Sequence, residues 1–324
     1  MPEQCDELRA ILSRSPFGPY RYLARGLGAA LKDHWRRVFA ESLRKPGGGA
    51  LVAHDGTRII GAVVCTRRSW ESKVLDAPVA VLEHFIVDPT APNQREAAVA
   101  LLGNAEDWAT AEGLACLMCK VYSDDAVSIH ALERSGFLMM DTLLDLVYDA
   151  KADPLEHVPP PQLPSGADIR SAADADEDRL AALARVAFSG HFGRFNVDER
   201  IPKSTALNVY AQWIKSSLRG FADLVLVAEM DDRLVACSIW KNPSAAASEA
   251  GVRIADYSLT LVDPDYSGRG LFRALTYRGM QLYDGAADYL GGRTHVQLLS
   301  LQRAIAKLRW HPCGARHAFH RWIE

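Results

Sequence analysis

The chain has 324 residues, of which 48% are hydrophobic and 24% are charged, and its formal net charge is −3. This length is enough for two domains of ordinary size. A nucleic-acid-binding protein would need a clustered basic excess, which this composition lacks. No apolar run approaches the roughly 20 residues that span a bilayer, and the six cysteines are scattered. We therefore expect a cytoplasmic protein that binds neither nucleic acid nor membrane.

The first half of the chain predicts a hairpin, a later strand and a closing helix. Residues 50–64 are two apolar runs joined by Asp55-Gly56, a pair typical of tight hairpin turns. A strand then ends in Ile86-Val87-Asp88-Pro89, and a predicted helix over 126–135 precedes Gly136-Phe137. The Cys-x-x-Cys pair at 116 and 119 lies in a predicted strand, where residues three apart face opposite ways, so we expect no metal site.

A proline-rich segment separates the halves. Residues 151–166 contain five prolines, a composition that favours an extended linker. We therefore place one domain at about 1–150 and another at about 167–324.

The second half repeats the order of the first. A hairpin over 224–236 is followed by Leu261-Val262-Asp263-Pro264, a helix over 299–308 and the pair Arg309-Trp310. The intervals are 33 and 32 residues from hairpin turn to proline, and 47 and 45 from proline to the final pair. Two related units in tandem explain this register.

A glycine turn distinguishes the second half. Pro264 ends a strand, residues 271–283 have helical periodicity, and Ser267-Gly268-Arg269-Gly270 lies between them. Glycine lets the backbone turn its N–H groups toward a ligand, and a helix N-terminus adds unpaired donors and a positive dipole end. These features together favour a diphosphate site.

This segment resembles the pyrophosphate-binding turn of the GNAT superfamily of acyl-CoA-dependent N-acyltransferases, although Asp265 replaces the usual basic or amide first residue. The resemblance implies an α/β fold of two tandem GNAT-like domains, each a twisted mixed sheet with helices on both faces. It implies acetyl-CoA or another acyl-CoA as co-substrate and no metal. The first half has no glycine at 90–95, so it is expected to be a degenerate domain. The implied coenzyme-binding residues are Leu261, Val262, Tyr266, Ser267, Gly268, Arg269, Gly270, Leu271, Phe272 and Arg273.

In that family, a carboxylate on the strand before the turn often acts as general base. Asp256 is the candidate here, and period-two alternation predicts that Ser258 and Thr260 share its face. A backbone N–H before Val-x-Pro polarises the carbonyl in the family, which points to Leu261. His295, at a predicted strand start, is a second candidate for acid or base, although most histidines are structural.

The last helix departs from the family pattern. Aligning the Gly-Phe pair with Arg309-Trp310 puts Leu298 where the family has asparagine and Ile305 where it has the tyrosine general acid. Neither side chain can donate a proton, so the general acid stays open.

A narrower resemblance concerns the acceptor. Residues 210–214, Tyr-Ala-Gln-Trp-Ile, are similar to a segment of acetyltransferases acting on dTDP-linked 4-amino sugars, and residues 70–72, Trp-Glu-Ser, are similar to an element of their first halves. Residues 294–297, 301–304 and 306–308 resemble the entry to the last helix in the same group. We expect His191, Tyr210 and Trp213 to contact the acceptor, with packing an equal alternative for the last two.

Three hypotheses follow from these resemblances. The first is an acetyltransferase of a nucleotide-linked amino sugar. The second is an N-acyltransferase of peptide or secondary metabolism that takes a longer acyl group from CoA or from acyl carrier protein. The third is a non-catalytic acyl-CoA-binding protein. Acceptor identity, acyl length and oligomeric state stay open.

Overall fold

A computed structural model describes residues 2–23, 27–45, 47–244, 247–248 and 251–324. The chain forms two compact units, 1–142 with 314–324 and 143–313. The helices are α1 Pro2–Arg14, α2 Gly28–Ser42, α3 Ser69–Leu75, α4 Gln94–Ala111, α5 Ala126–Arg134, α6 Glu177–Ala187, α7 Arg194–Val197, α8 Lys203–Ser216, α9 Leu271–Tyr283 and α10 Leu299–Ala306. The strands are β1 Gly49–His54, β2 Ile59–Arg67, β3 Val79–Val87, β4 Cys116–Tyr122, β5 Leu138–Asp149, β6 Ala167–Ser171, β7 Leu224–Met230, β8 Arg233–Lys241, β9 Ile254–Val262, β10 Tyr289–His295 and β11 His311–Trp322.

The first unit is a mixed sheet in the order β1-β2-β3-β4-β11. Only β3 and β4 are parallel; the other pairs are antiparallel. One face packs α4 and α5 through side chains such as Leu101 and Leu132, and the other packs α1 and α2 through Ile11 and Trp35. Helices therefore cover both faces of this sheet, as the sequence predicts.

The second unit is a mixed sheet in the order β5-β10-β9-β8-β7-β6, in which β9 and β10 form the parallel pair. Helices α6 and α8 cover one face through Leu180 and Ile214. Helix α9 covers the other through Leu275 and Met280. The predicted mixed α/β sheets with helices on both faces are confirmed.

The last strand of each unit comes from beyond the predicted domain boundary. Residues 314–324 belong to the first unit, where β11 pairs with β4, and residues 143–149 belong to the second, where β5 pairs with β10. The domain bounds that the repeat suggests, 1–150 and 167–324, therefore assign residues 143–149 and 314–324 to the other half of the chain. The proline-rich linker lies wholly within the second unit.

Both hairpins form as the sequence predicts. In the second, Asp231 and Asp232 both have positive φ, 52° and 58°, the geometry of a type I′ turn. Within the described ranges, no helix is long and apolar enough to cross a membrane.

Candidate functional site

The glycine turn joins β9 to α9 in the second unit. After β9, a short 3-10 turn covers Pro264–Tyr266, and the Asp265 N–H donates to the Asp263 side chain at 3.0 Å. Gly268 and Gly270 have φ of 78° and 93°, a backbone region that L side chains rarely adopt. These positions therefore require glycine.

Helix α9 begins directly after this turn with open donors. The Ala274 N–H is the first to bond back, to the Gly270 carbonyl at 3.0 Å. The N–H groups of Leu271, Phe272 and Arg273 are thus left for an external acceptor, as at any helix start. A Cβ on Gly268 would meet no atom within 4 Å, so the turn faces open space. This end of α9 is suited to an anion.

The turn opens onto a cleft of about 990 Å³. All ten residues predicted to bind the coenzyme line this cleft: Leu261, Val262, Tyr266, Ser267, Gly268, Arg269, Gly270, Leu271, Phe272 and Arg273. His191 also lines it, whereas Asp256, Tyr210, Trp213 and His295 are not among its lining residues. The geometry therefore brings the whole predicted turn and one predicted acceptor residue to a single cleft.

Strands β9 and β10 pair only at their starts. Residues 254–257 pair with 289–292, and β9 then continues to Val262 without β10 as a partner. The Asp263 N–H donates to the Val235 carbonyl of β8 at 2.7 Å. Because successive N–H groups alternate, the Leu261 N–H also faces β8, and those of Thr260 and Val262 face the open side. The Leu261 N–H, which was expected to donate to an oxyanion, therefore faces β8 instead. The N–H groups of Thr260 and Val262 replace it as the candidate donors.

A β-bulge at Ser258 changes which side chains share a face. Ile239 pairs with Leu259 but Trp240 pairs with Tyr257, so β9 has one extra residue there. The prediction that Thr260 shares the face of Asp256 by simple alternation is therefore wrong. Asp256 is half-buried and accepts a hydrogen bond from the Ser258 hydroxyl at 2.9 Å.

Two of the predicted histidines lie close together. The ring centroids of His191 and His295 are 6.2 Å apart, and the ring of Phe192 is 6.3 Å from that of His295. His295 is buried, and its Nδ1 accepts from the Gln297 N–H at 3.2 Å. In the neutral form the proton therefore sits on Nε2. The buried imidazole of His295 thus lies beside His191, which lines the cleft.

Tyr210 supports that wall from behind. Its ring stacks on Phe188 with centroids 4.0 Å apart, and Phe188 lines the cleft. Gly193 permits this packing, since a Cβ there would lie 2.7 Å from the Tyr210 hydroxyl and 2.8 Å from His191 Nε2. Trp213 packs against the same cluster, and its buried Nε1 has no hydrogen-bond partner among the described residues. The structure thus gives both aromatic side chains packing roles.

The cleft lining is strongly cationic. It contains Arg269, Arg273, Arg303 and Lys307, and no carboxylate is among the lining residues of the described chain. The Arg269 guanidinium donates to the Asp265 carbonyl at 3.2 Å and lies 4.8 Å from the Tyr266 ring centroid. The field in this cleft therefore favours an anionic ligand.

Some of this lining was missed at the sequence level. Residues 162–165 of the proline-rich segment form part of it, as do Phe188, Phe192, Arg303 and Lys307. The prolines indicated an extended chain but not its course. Arg303 in α10 and Lys307 directly after it lie in segments whose resemblance indicated a helix, but that resemblance did not indicate that the two cations line the cleft.

The corresponding region of the first unit is nearly closed. Its cavity has about 40 Å³ and is lined by residues of the β3 end, by Pro89 and by residues 15–17. Phe17 stacks on Tyr122, and the Tyr122 hydroxyl donates to the Gly18 carbonyl at 3.0 Å. The chain itself therefore fills the space that is open in the second unit.

Ile305, which stands where the family has the tyrosine general acid, is part of the hydrophobic core. Ile305 is buried beside Trp310 and Tyr148, whereas Leu298 lines the cleft. Arg309 has a φ of 64° and Gly136 of the first unit a φ of 71°. The two residues thus hold the same left-handed position after their helices.

Among the described residues, no group of three or more His, Cys, Asp or Glu could hold a metal ion. Cys119 is buried, with its Sγ 3.8 Å from the Leu82 carbonyl, and burial raises the pKa of its thiol to about 12.

Residues 7–137 match the model of the acetyltransferase (GNAT) family. The match falls within the first unit. No curated protein matches the chain.

Solved structures extend the comparison to the whole chain. A GCN5-related N-acetyltransferase from Sphaerobacter thermophilus has a TM-score of 0.65 at 13% identity, covering 100% of this chain and 94% of that one. A tandem GNAT protein from the clavulanic acid biosynthesis pathway has a TM-score of 0.59 at 14% identity, covering 100% and 96%. The GCN5-related glucosamine N-acetyltransferase region of a fungal multi-domain GH3 β-N-acetylglucosaminidase has a TM-score of 0.63 at 15% identity, covering 99% and 37%. The chain therefore has the tandem fold of GNAT N-acetyltransferases, as its sequence predicts.

Proposed function

We propose that the chain is an acyl-CoA-dependent N-acyltransferase that transfers an acetyl or other acyl group to a primary amine. The observation that carries this proposal is the cleft at the glycine turn. It combines two left-handed glycines, the open donors of a helix start and four cations in about 990 Å³. A diphosphate needs close backbone approach and positive charge, and this turn offers both.

The second unit alone would hold the coenzyme. Its turn offers open N–H groups to a diphosphate, whereas the cavity at the corresponding end of β3 in the first unit has only about 40 Å³, which is too small for a nucleotide. The first unit is then a scaffold, although the family match falls on it. The coenzyme would supply an activated thioester, and the residues of this chain would supply orientation and proton transfer.

An amine with a pKa near the lysine value, about 10.4, must lose a proton before it attacks. Asp256 is the proposed base, held by the Ser258 hydroxyl at 2.9 Å. His295 Nε2–H is the proposed acid for the departing thiolate, since Ile305 cannot serve. The outward N–H groups of Thr260 and Val262 are the proposed oxyanion donors.

A nucleotide-linked amino sugar is the first acceptor to test, because residues 210–214 resemble that group of acetyltransferases. His191 lines the cleft and would contact the acceptor. Tyr210 and Trp213 would act by positioning Phe188 and His191, since they pack behind the wall.

A longer acyl group is the second candidate. Val186 and Phe192 line the cleft and are 52% and 53% exposed. Such uncovered apolar side chains suit a hydrocarbon chain, delivered by CoA or by acyl carrier protein.

Calorimetry with acetyl-CoA, octanoyl-CoA and free CoA tests the coenzyme. A thiol-release assay with dTDP-amino sugars, amino acids and peptides then tests transfer. One bound coenzyme per chain and thiol release with any amine support the proposal. Tight binding with no release from any acceptor would indicate the non-catalytic alternative, and absence of binding would refute the whole assignment.

A further inference from the structure

Two opposite charges lie side by side near the start of β9. Lys241, at the end of β8, is the register partner of Asp256 in β9, and the Cα atoms of such antiparallel partners are about 4.5–5.5 Å apart. The preceding pair, Trp240 and Tyr257, stacks on the α9 side of the sheet. Because successive side chains of a strand alternate, Lys241 and Asp256 both face the opposite side.

Each of the two charges has a partner other than its neighbour. Lys241 Nζ lies 3.9 Å from the ring centroid of Phe221, in the turn that follows α8. The Asp256 carboxylate accepts from the Ser258 hydroxyl at 2.9 Å. Within the part of the chain that the structure describes, no ion pair joins Lys241 to Asp256 or to another carboxylate. Opposite charges directly across a sheet stabilise it when they pair, so sheet stability does not account for this arrangement.

The β10 side of this pair supplies no competing cation. Gly291 is the register partner of Asp256 on that side and contributes no side chain. Arg293, two residues further along β10, forms an ion pair with the buried Asp145 at 3.3 Å. Lys241 is therefore the cation that remains for a ligand beside Asp256.

The first unit supplies an internal contrast. Each unit has a β-bulge between its second strand and the strand that ends in Val-Asp-Pro, and Lys241–Asp256 is the second pair beyond the bulge. The second pair beyond the bulge of the first unit is Cys65–Leu82, and both of these side chains are buried in the core. The charged pair is thus a property of the unit proposed to catalyse transfer, and not of the fold in general.

We propose that Asp256 and Lys241 form an acceptor subsite that binds the two charged groups of one molecule, its amine at Asp256 and an anionic group at Lys241. This inference rests on the proposed function and deepens it, because it assigns the acceptor to amines that carry a carboxylate or a phosphate. Lysine binds such groups as a point charge. Phe221, which is 52% exposed, holds the ammonium away from Asp256 and so keeps both charges available to a ligand.

Thiol release with matched acceptors tests the subsite on the full chain. L-Alanine and L-alaninol differ in a carboxylate, and glucosamine 6-phosphate and glucosamine differ in a phosphate. We expect kcat/KM to be about tenfold higher for the anionic member of at least one pair, since a charged hydrogen bond is lost in the neutral member. The pair that shows this preference identifies the anion as carboxylate or phosphate.

Substitutions of Lys241 separate its charge from its place in the sheet. In Lys241→Gln the preference should fall to about twofold, through a higher KM for the anionic member, with the neutral member changed by less than threefold. Lys241→Arg keeps the charge and should keep the preference. Phe221→Leu removes the ring that holds the ammonium and should weaken the preference by a smaller factor. Lys203→Gln is the matched control, because Lys203 is an exposed lysine at the start of α8, and it should have no effect on the preference.

The outcomes separate this inference from the proposed function. Equal kcat/KM within each pair, or equal losses for both members in Lys241→Gln, would refute the subsite and leave acyl transfer in place. If the protein binds acyl-CoA but releases thiol with no member of either pair, the acceptor class is wrong and the coenzyme assignment stands. Absence of acyl-CoA binding to the intact protein would refute the proposed function itself.

Discussion

The indole of Trp240 packs directly against the backbone of Gly279. A Cβ on Gly279 would lie 2.2 Å from Trp240 Cζ2, and Trp240 is fully buried and stacks on Tyr257 with ring centroids 4.2 Å apart. This contact fixes α9 on the sheet, and α9 begins at the glycine turn. The position of the open N–H groups at the start of α9 thus depends on a packing contact two helical turns away.

Gly279→Ala should therefore destabilise the second unit, although alanine is the better helix former. Overpacking of a core typically costs about 1–3 kcal/mol, which exceeds the gain of about 1 kcal/mol in helix propensity. Urea unfolding followed by tryptophan fluorescence measures the change. Gly103→Ala is the matched control, because Gly103 lies in α4 with no atom within 4 Å of its added Cβ. It should be neutral or stabilising, and equal effects of the two changes would contradict the packing argument.

Gly270→Glu should abolish acyl-CoA binding. The change puts a side chain at φ 93° and a negative charge beside the open N–H groups of α9. Calorimetry should show a loss of at least a hundredfold in affinity. Gly285→Glu is matched for strain and charge, since Gly285 has a φ of 73° and lies outside the cleft. Similar losses in both variants would attribute the effect to misfolding.

The sequence predicted the residues of the glycine turn better than the rest of the candidate site. Val-Asp-Pro, two glycines and a helical periodicity are local signals, and all ten residues inferred from them line one cleft. The bulge at Ser258 has no such signal, because it is defined by the partner strand: Ile239 and Trp240 pair with Leu259 and Tyr257. Alternation therefore failed for Thr260.

The exchange of final strands was also beyond local reasoning. Residues 314–324 pair with β4 because of long-range contacts, whereas their own pattern predicts only that they form a strand. The repeat was correctly placed through Gly136 and Arg309, which share a left-handed backbone. Repeats fix the order of elements, but not which copy of a strand completes which sheet.

Asp288 should make stability depend on pH in the acid range. It accepts hydrogen bonds from the Arg253 N–H and guanidinium, at 3.1 and 3.0 Å, and Lys151 lies 3.3 Å away. The Arg253 side chain lowers the pKa of Asp288 to about 2. Because the folded pKa lies below the unfolded value of about 3.9, the stabilisation is present above pH 4 and is lost as pH falls toward 2.

Asp288→Asn should accordingly lower the urea midpoint at pH 7 and flatten its decline between pH 4 and pH 2. Asp284→Asn, at an exposed carboxylate after α9, should leave both the midpoint and its slope unchanged. A decline in Asp288→Asn as steep as in the unaltered protein would assign the acid sensitivity to other carboxylates.

Asp256→Asn and His295→Asn should affect turnover in different ways. If Asp256 is the base, its loss should lower kcat by about 10²–10⁴-fold near pH 7, the usual contribution of a general base. The deficit should shrink at high pH, where free amine is plentiful. Coenzyme affinity should change by less than threefold, because Asp256 is not among the residues that line the cleft. Ser258→Ala should give a smaller loss, since it removes only the hydroxyl that bonds Asp256 at 2.9 Å.

His295→Asn should lower kcat without recovery at high pH, because an acid that protonates the thiolate is not replaced by raising pH. The buried position of His295, 6.2 Å by ring centroid from His191 at the cleft wall, is what motivates this role. Complete pH–rate profiles for both variants are the measurement. Should Asp256→Asn keep normal turnover at pH 7 while His295→Asn recovers at high pH, Asp256 has no part in catalysis and His295 is the base. Normal profiles in both variants would leave proton transfer to water and exclude both residues.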